Sequence, residues 1–236
     1  MPPLSSLPTC QLAGITIPNT PLITKAIAHA RQHGDDFTYN HVLRSFLFAI
    51  ACIPIVTAKS PDYAIDYEAI AISTVLHDLA WAADSDKSTP DKRFEVDSAN
   101  AAREFLETEI GNDPSWPQHR VQFIWDAIAL HTTSSIAMHK QPEVMLAHVG
   151  ITADFLGPNL FADGNGPLTW KAFSDVTQAF PREDFKEGIK SLMCALCKKK
   201  PQTTYDNFVG EFGEKYVEDY DRAGKLVIDF LENAIE

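Results

Sequence analysis

Residues 70–82 read IAISTVLHDLAWA, an apolar stretch whose only ionisable side chains are His77 and Asp78. Two such groups inside a hydrophobic segment cost desolvation energy unless they are paired or bind a cation. The segment therefore has to be a core helix whose neighbours supply the compensation. Ile70, Thr74, His77 and Trp81 fall at helical spacing on one side, and Asp66 is placed to cap the start, which predicts a helix over 67–82. Neighbouring helical positions lie about 100° apart, so His77 and Asp78 reach one ion only from the edge of the buried face. Other helices must complete its shell.

The same periodicity recurs along most of the chain, and no stretch of strict alternation bounded by hairpin turns stands out, so the expected class is all-α. Thr20 followed by Pro21 marks a helix start and Gly34 its end. A second helix is expected from about 38 to 56, broken near Pro54. Ser60-Pro61-Asp62 reads as a turn and 84–92 as a polar loop, placed to act as a lid. Further helices are expected over 96–110, 117–130, 143–155, 168–180, 182–199, 205–216 and 221–234, with Gly and Pro breaks at 157–159 and 163–167. The resulting organisation is an irregular Pro-rich segment over 1–19 and one helical domain over 20–236. Its metal-site core lies at about 38–158, and structural helices close it over about 167–236.

Composition narrows the function. The 236 residues carry 45% apolar and 22% charged side chains, the balance of a globular protein. Lys and Arg number 20 against 32 Asp and Glu, a net charge of −12. Nucleic acid and anionic membranes are unfavourable partners for such a surface. The longest uncharged run, 45–58, is shorter than the roughly 20 residues a spanning helix needs and reads as a buried helix. The N-terminal residues show no secretory signal, and Cys10, Cys52, Cys194 and Cys197 form no disulfide framework, so an intracellular, cytoplasmic protein is expected. A homo-oligomer stays open.

Outside the central pair, His41 opens the second helix ahead of Arg44 and the buried run, and Asp154 sits late in the helix over 143–155. The order His41, His77-Asp78, Asp154 resembles the metal-binding pattern of the HD-domain superfamily, all-α proteins that are often metal-dependent hydrolases. The resemblance covers about 38–158. The stretches HVLRSF from His41, LHDL from Leu76, RFEVDSANAA from Arg93 and AIALH ending at His131 look like the fungal cyanamide hydratase branch. That resemblance implies a metal-dependent hydro-lyase adding water to cyanamide, giving urea, or to a similar small nitrile-like substrate. It also draws attention to Arg93-Phe94-Glu95.

Two imidazoles and two carboxylates suit Zn²⁺ first, with Fe²⁺ or Mn²⁺ as alternatives, and such an ion lowers the pKa of bound water toward neutrality. His131, following Ile124, Ala127 and Ile128 at i−7, i−4 and i−3, faces inward and is the candidate to move a proton to the substrate nitrogen, with Asp78 as its catalytic companion at the ion. A small neutral substrate calls for a narrow apolar pocket, with Phe48, Trp81 and Trp125 as wall residues and Glu95 and Arg44 as polar contacts.

Each residue also has a plainer reading. His131, His41 and Asp154 taken singly are ordinary core groups, and Arg44 more commonly pairs with a carboxylate. His148 lies about 240° around its helix from Asp154 and cannot easily share its ion; with His131 it would instead fit a second metal. Cys194-x-x-Cys197 lacks a second ligand pair for zinc, and the segment from Asp163 to Gly166 lacks the later glutamate of a calcium loop. Two other functions remain: an HD-type phosphohydrolase on a nucleotide, for which Arg44 and Arg93 are few cations, and a non-catalytic helical protein with a structural metal.

Overall fold

The computed structural model describes residues 6–161 and 164–235. The architecture is predominantly helical, as the periodicity requires, with one small sheet. That sheet corrects the expectation of an irregular N-terminus. Strands β1 (Thr9–Leu12) and β2 (Ile15–Pro18) pair antiparallel, Thr9 opposite Pro18 and Leu12 opposite Ile15. Ala13 and Gly14 both take positive φ, 47° and 79°, the mirror-image turn whose twist suits a two-residue hairpin. Residues 1–5 lie outside the described residues, as do 162 and 163 within the expected 163–167 break.

Helix α1 (Pro21–His33) starts and stops where the sequence places it, with the Thr20 hydroxyl accepting from the Ile23 amide and Gly34 beyond the end. Asp35 caps α2 (Asp36–Ala51), which is buried at every position from His41 to Ile50. A short helix, α3 (Pro54–Thr57), follows, consistent with the break expected at Pro54. The stretch 36–57 is apolar and long enough to cross a membrane by length and composition, yet 72% of its most apolar window is buried within the protein.

Helix α4 spans Tyr67–Leu76, capped by Asp66. It stops short of the expected residue 82, and the His77–Asp78 pair follows its end as a turn. Then come α5 (Phe94–Ile110), α6 (Gln118–Leu130), the short α7 (Ser134–Ala137) and α8 (Pro142–Leu156). The C-terminal part holds α9 (Trp170–Ala179), α10 (Phe185–Lys199), α11 (Val209–Tyr216) and α12 (Val227–Glu232), the last two shorter than expected.

Helix α2 packs against both α4 and α8, which also touch each other. The α2–α8 crossing is close because residue 150 is Gly: a Cβ there would stand 2.5 Å from the Ala49 Cβ and 2.6 Å from the Ser45 carbonyl oxygen. Fully buried Phe46, Leu47, Ile70, Ile72, Leu106 and Leu146 fill the main core, each stabilising by roughly 1.5–3 kcal/mol relative to exposure. A second cluster of Trp81, Phe94, Phe185, Ile189, Met193 and Leu196 joins the turn after α4 to the C-terminal helices.

The 84–92 loop is fastened. Buried Lys200, just past α10, donates to the Thr89 and Lys92 carbonyls at 3.2 and 3.0 Å and to Asp97 Oδ2 at 2.9 Å. Asp97 also accepts from the Thr89 amide and hydroxyl.

Candidate metal centre

The candidate centre begins with how two helices end. The last carbonyls of a helix lack intrahelical partners. At the end of α4, His77 Nδ1 donates to the Thr74 carbonyl at 2.8 Å; at the end of α6, His131 Nδ1 donates to the Ile128 carbonyl at 2.6 Å. In both cases the ring satisfies the carbonyl three residues back. With the proton on Nδ1 alone, Nε2 of either ring carries a lone pair directed away from its helix. The same use of the ring explains why α4 ends at Leu76 although the apolar pattern runs on to Ala82. Ser98 on α5 supports the turn by accepting the Ala80 amide at 3.0 Å.

His41 is held similarly from α2. Its Nδ1 stands 2.7 Å from Asp154 Oδ2, and Trp81 stacks on its ring with centroids 5.2 Å apart and planes at 8°. The Trp81 Nε1 in turn donates to Thr38 at 2.9 Å. Ring orientation is therefore fixed on two sides, and Nε2 points inward.

Three donor atoms converge as a result. His77 Nε2 and His41 Nε2 are 3.3 Å apart, and Asp78 Oδ2 lies 3.0 Å from the first and 3.4 Å from the second. With the protons of both rings on Nδ1, these atoms present lone pairs to one another. That arrangement is repulsive unless a proton or a metal ion lies among them. Both Asp78 oxygens are buried without a hydrogen-bond partner, an expensive state for a carboxylate. Donors bound at about 2.0–2.2 Å stand roughly 3.0–3.4 Å apart in octahedral or tetrahedral shells, so the residues fit a metal ion without selecting its geometry. The buried His41–His77–Asp78 group could hold a metal ion. The negative ends of α4 and α6 favour positive charge there.

Electrostatics agree. Burial alone would raise the Asp78 carboxyl, but the electrostatic influence of His77 first, with His41 and His131 nearby, outweighs it and holds the group below the usual carboxylate range. Burial, helped by His77, pushes His131 down to about 4 against the opposing pull of Asp78 and Glu95. His131 is thus a neutral ring near pH 7. Its Nε2 is 3.8 Å from Asp78 Oδ1.

Asp154, expected as the fourth ligand, is placed behind His41 instead. Arg44 donates to its two oxygens from Nε and Nη2, at 2.8 Å each, and His41 occupies one of them as well. These partners hold the carboxyl low against the effect of burial. It orients the His41 ring from the outer side, the arrangement common behind metal-bound histidines. Arg44 uses its remaining amine on the Phe180 and Pro181 carbonyls and does not face the cavity, which corrects its expected role as a substrate contact.

A cavity of about 290 Å³ opens beside the cluster. His41, Asp78, His131, Thr132, His148 and Thr152 provide its polar lining, and Trp81, Phe94, Ile151 and Phe155 much of its apolar wall. Ile189, Met193, Phe208 and Phe212 close it from the C-terminal region. Of the three expected wall residues only Trp81 is there. Phe48 is buried in the main core, stacked on Phe173 at 5.2 Å, and Trp125 donates to Asn100 on the far side of α6. Glu95 lies behind the wall: it accepts from Arg93 at 2.7 Å and from the Thr132 hydroxyl at 2.6 Å, and so positions Thr132 beside His131. The 84–92 loop does not line the cavity.

His148, set aside on the angular argument, does reach the cavity, because Asp154 points the other way. Its Nδ1 donates to the His131 carbonyl at 2.6 Å, which couples α8 to the end of α6. His148, Ile151 and Phe155 recur at i, i+3 and i+7, and that stripe was the available signal. Ile189–Met193 and Phe208–Phe212 at i, i+4 were another, on helices expected to be purely structural. The chain matches no family model, and no curated protein matches it.

Proposed function

We propose that the protein is a metal-dependent hydratase that adds water to a small neutral substrate with a carbon–nitrogen triple bond, cyanamide or a related nitrile. The observation that carries the reading is the convergence of His41 Nε2, His77 Nε2 and the Asp78 carboxylate, which has no hydrogen-bond partner, beside a cavity whose lining is mostly apolar and carries no Lys or Arg among the described residues. His41, His77 and Asp78 would hold a divalent ion, Zn²⁺ first by the ligand set and Fe²⁺ or Mn²⁺ as alternatives, which would supply Lewis acidity and an activated water at neutral pH.

The chain's own groups do the rest. His131, its Nδ1 committed to the Ile128 carbonyl, has only Nε2 free to take a proton from water and return it to the substrate. This refines the expected role: the ring is first an acceptor, then a donor. The atoms balance simply. Water oxygen bonds to the triple-bonded carbon, one π pair moves to nitrogen, nitrogen takes the proton, and a second shift from oxygen to nitrogen gives the amide, or urea from cyanamide. Trp81, Phe94 and Ile151 keep bulk water out. Among the described residues no Lys or Arg lines the cavity, which suits a neutral substrate and leaves a nucleotide phosphate without a countercharge.

The test is hydration by metal-loaded protein. Urea from cyanamide, or amides from nitriles, followed by NMR and abolished in Asp78→Ala, is expected. Full metal occupancy with no turnover of any such compound overturns the reading, and phosphate release from nucleotides replaces it with a phosphohydrolase.

A further inference from the structure

We infer that the substrate carries an apolar arm of about four to seven carbons, which packs against Ile189, Met193, Phe208 and Phe212 while its reactive end faces Asp78 and His131. The chemistry at the reactive end rests on the hydratase reading; the arm site rests on the cavity alone.

Size is the first reason. A water molecule's share of liquid volume is about 30 Å³, so the 290 Å³ cavity holds roughly ten units of that size. Cyanamide has three heavy atoms and leaves most of the space over. Water is a poor occupant of the remainder, because an ordered water needs two to four polar partners. The division of the lining is the second reason. Every polar lining residue comes from α2, the ends of α4 and α6, or α8, whereas the four from the C-terminal region are all apolar. A wall of Ile, Met and two Phe offers a substrate only hydrophobic contact, and flexible Met193 can adapt to its shape. Among the described residues no Lys or Arg side chain waits there for a carboxylate or phosphate. The arm is therefore uncharged along its length, and space for about four to seven carbons remains once the reactive group is seated.

The experiment compares kcat/KM on metal-loaded full-length protein for cyanamide, acetonitrile, butanenitrile, hexanenitrile and decanenitrile. Calorimetry with the matching straight-chain primary amides runs in parallel. Each buried methylene should improve the reactive series about fourfold, so hexanenitrile should exceed acetonitrile by roughly 10²-fold, with decanenitrile falling back when the cavity is full. Met193→Trp should compress the hexanenitrile-to-acetonitrile ratio by at least tenfold. Ile189→Phe is the second blocking variant should the first fail to fold. Length-dependent amide binding without turnover of any nitrile keeps the arm site and removes the hydratase reading. Turnover that is best for cyanamide, or that ignores chain length, keeps the hydratase reading and overturns the arm. Length-independence in both turnover and binding overturns it as well.

Discussion

Asp154 meets His41 at Nδ1, 2.7 Å away, so the nitrogen that faces His77 and Asp78 is the one Asp154 does not touch. The two carboxylates of the site therefore sit differently: Asp78 converges with His41 and His77 on the position where an ion could be held, and Asp154 aims the His41 ring toward it.

Metal content should separate them. Asp78→Ala is expected to remove the metal, whereas Asp154→Asn should weaken binding about 10–100-fold, the usual cost of losing an orienting partner. Plasma-emission analysis followed by chelator competition reads both. Cys197→Ala, whose thiol donates to the Val209 carbonyl, should leave metal content unchanged. Equal metal loss in the Asp78 and Asp154 variants would make Asp154 a direct ligand.

His131→Ala should keep its metal and lose turnover by roughly 10²–10⁴-fold, because the ring moves a proton and is not one of the three converging donors. Metal and activity are measured on one sample. Metal leaving together with activity would place His131 in the coordination shell.

Acid should weaken the fold through His29, which is not one of the converging donors. Burial lowers its pKa from 6.5, with His33 and Lys87 adding to the effect and Glu109 and Asp86 opposing it. The unfolded chain takes up this proton near pH 6.5 and the folded chain only below that, so the folded state loses stability as pH falls through this window. His29→Phe, which keeps a ring against Phe105, should gain on the wild type between pH 7 and 5 in urea titrations. A difference constant across that range would assign the acid sensitivity elsewhere.

Lys200 and Asp97 form a buried ion pair at 2.9 Å that fastens the 84–92 loop. Removing one partner strands the other, so Lys200→Met should cost about 3–5 kcal/mol, and the double variant with Asp97→Leu should recover part of it. Urea midpoints at constant slope measure this; a double variant as unstable as the single one would show that the pair's charge is not the issue.

The sequence made the helical frame and half of the centre readable, for reasons that differ by residue. Thr20, Pro21 and Gly34 mark α1 because caps are local chemistry. His77 and Asp78 stood out because charge in an apolar run needs a partner. The hairpin escaped because its strands are four residues long and its turn uses Ala13, at φ 47°, where Asn or Gly would be the usual signal. The side of His41 that Asp154 approaches depends on the α2–α8 packing and leaves no trace in spacing. Ile189 and Met193 were hidden differently: a stripe that packs on a neighbouring helix and one that walls a cavity have the same period.

Gly150 lies one turn before Asp154, and its contact atom on Ser45 lies one turn after His41. No methyl group fits at that crossing, so the separation of the two site residues is set by Gly150 resting on the α2 backbone and the Ala49 methyl, with no long adjustable side chain between them. Anyone redesigning this scaffold can change the cavity wall to alter what enters, but filling this crossing to gain thermostability would shift α8 against α2 and misalign the histidine it was meant to protect.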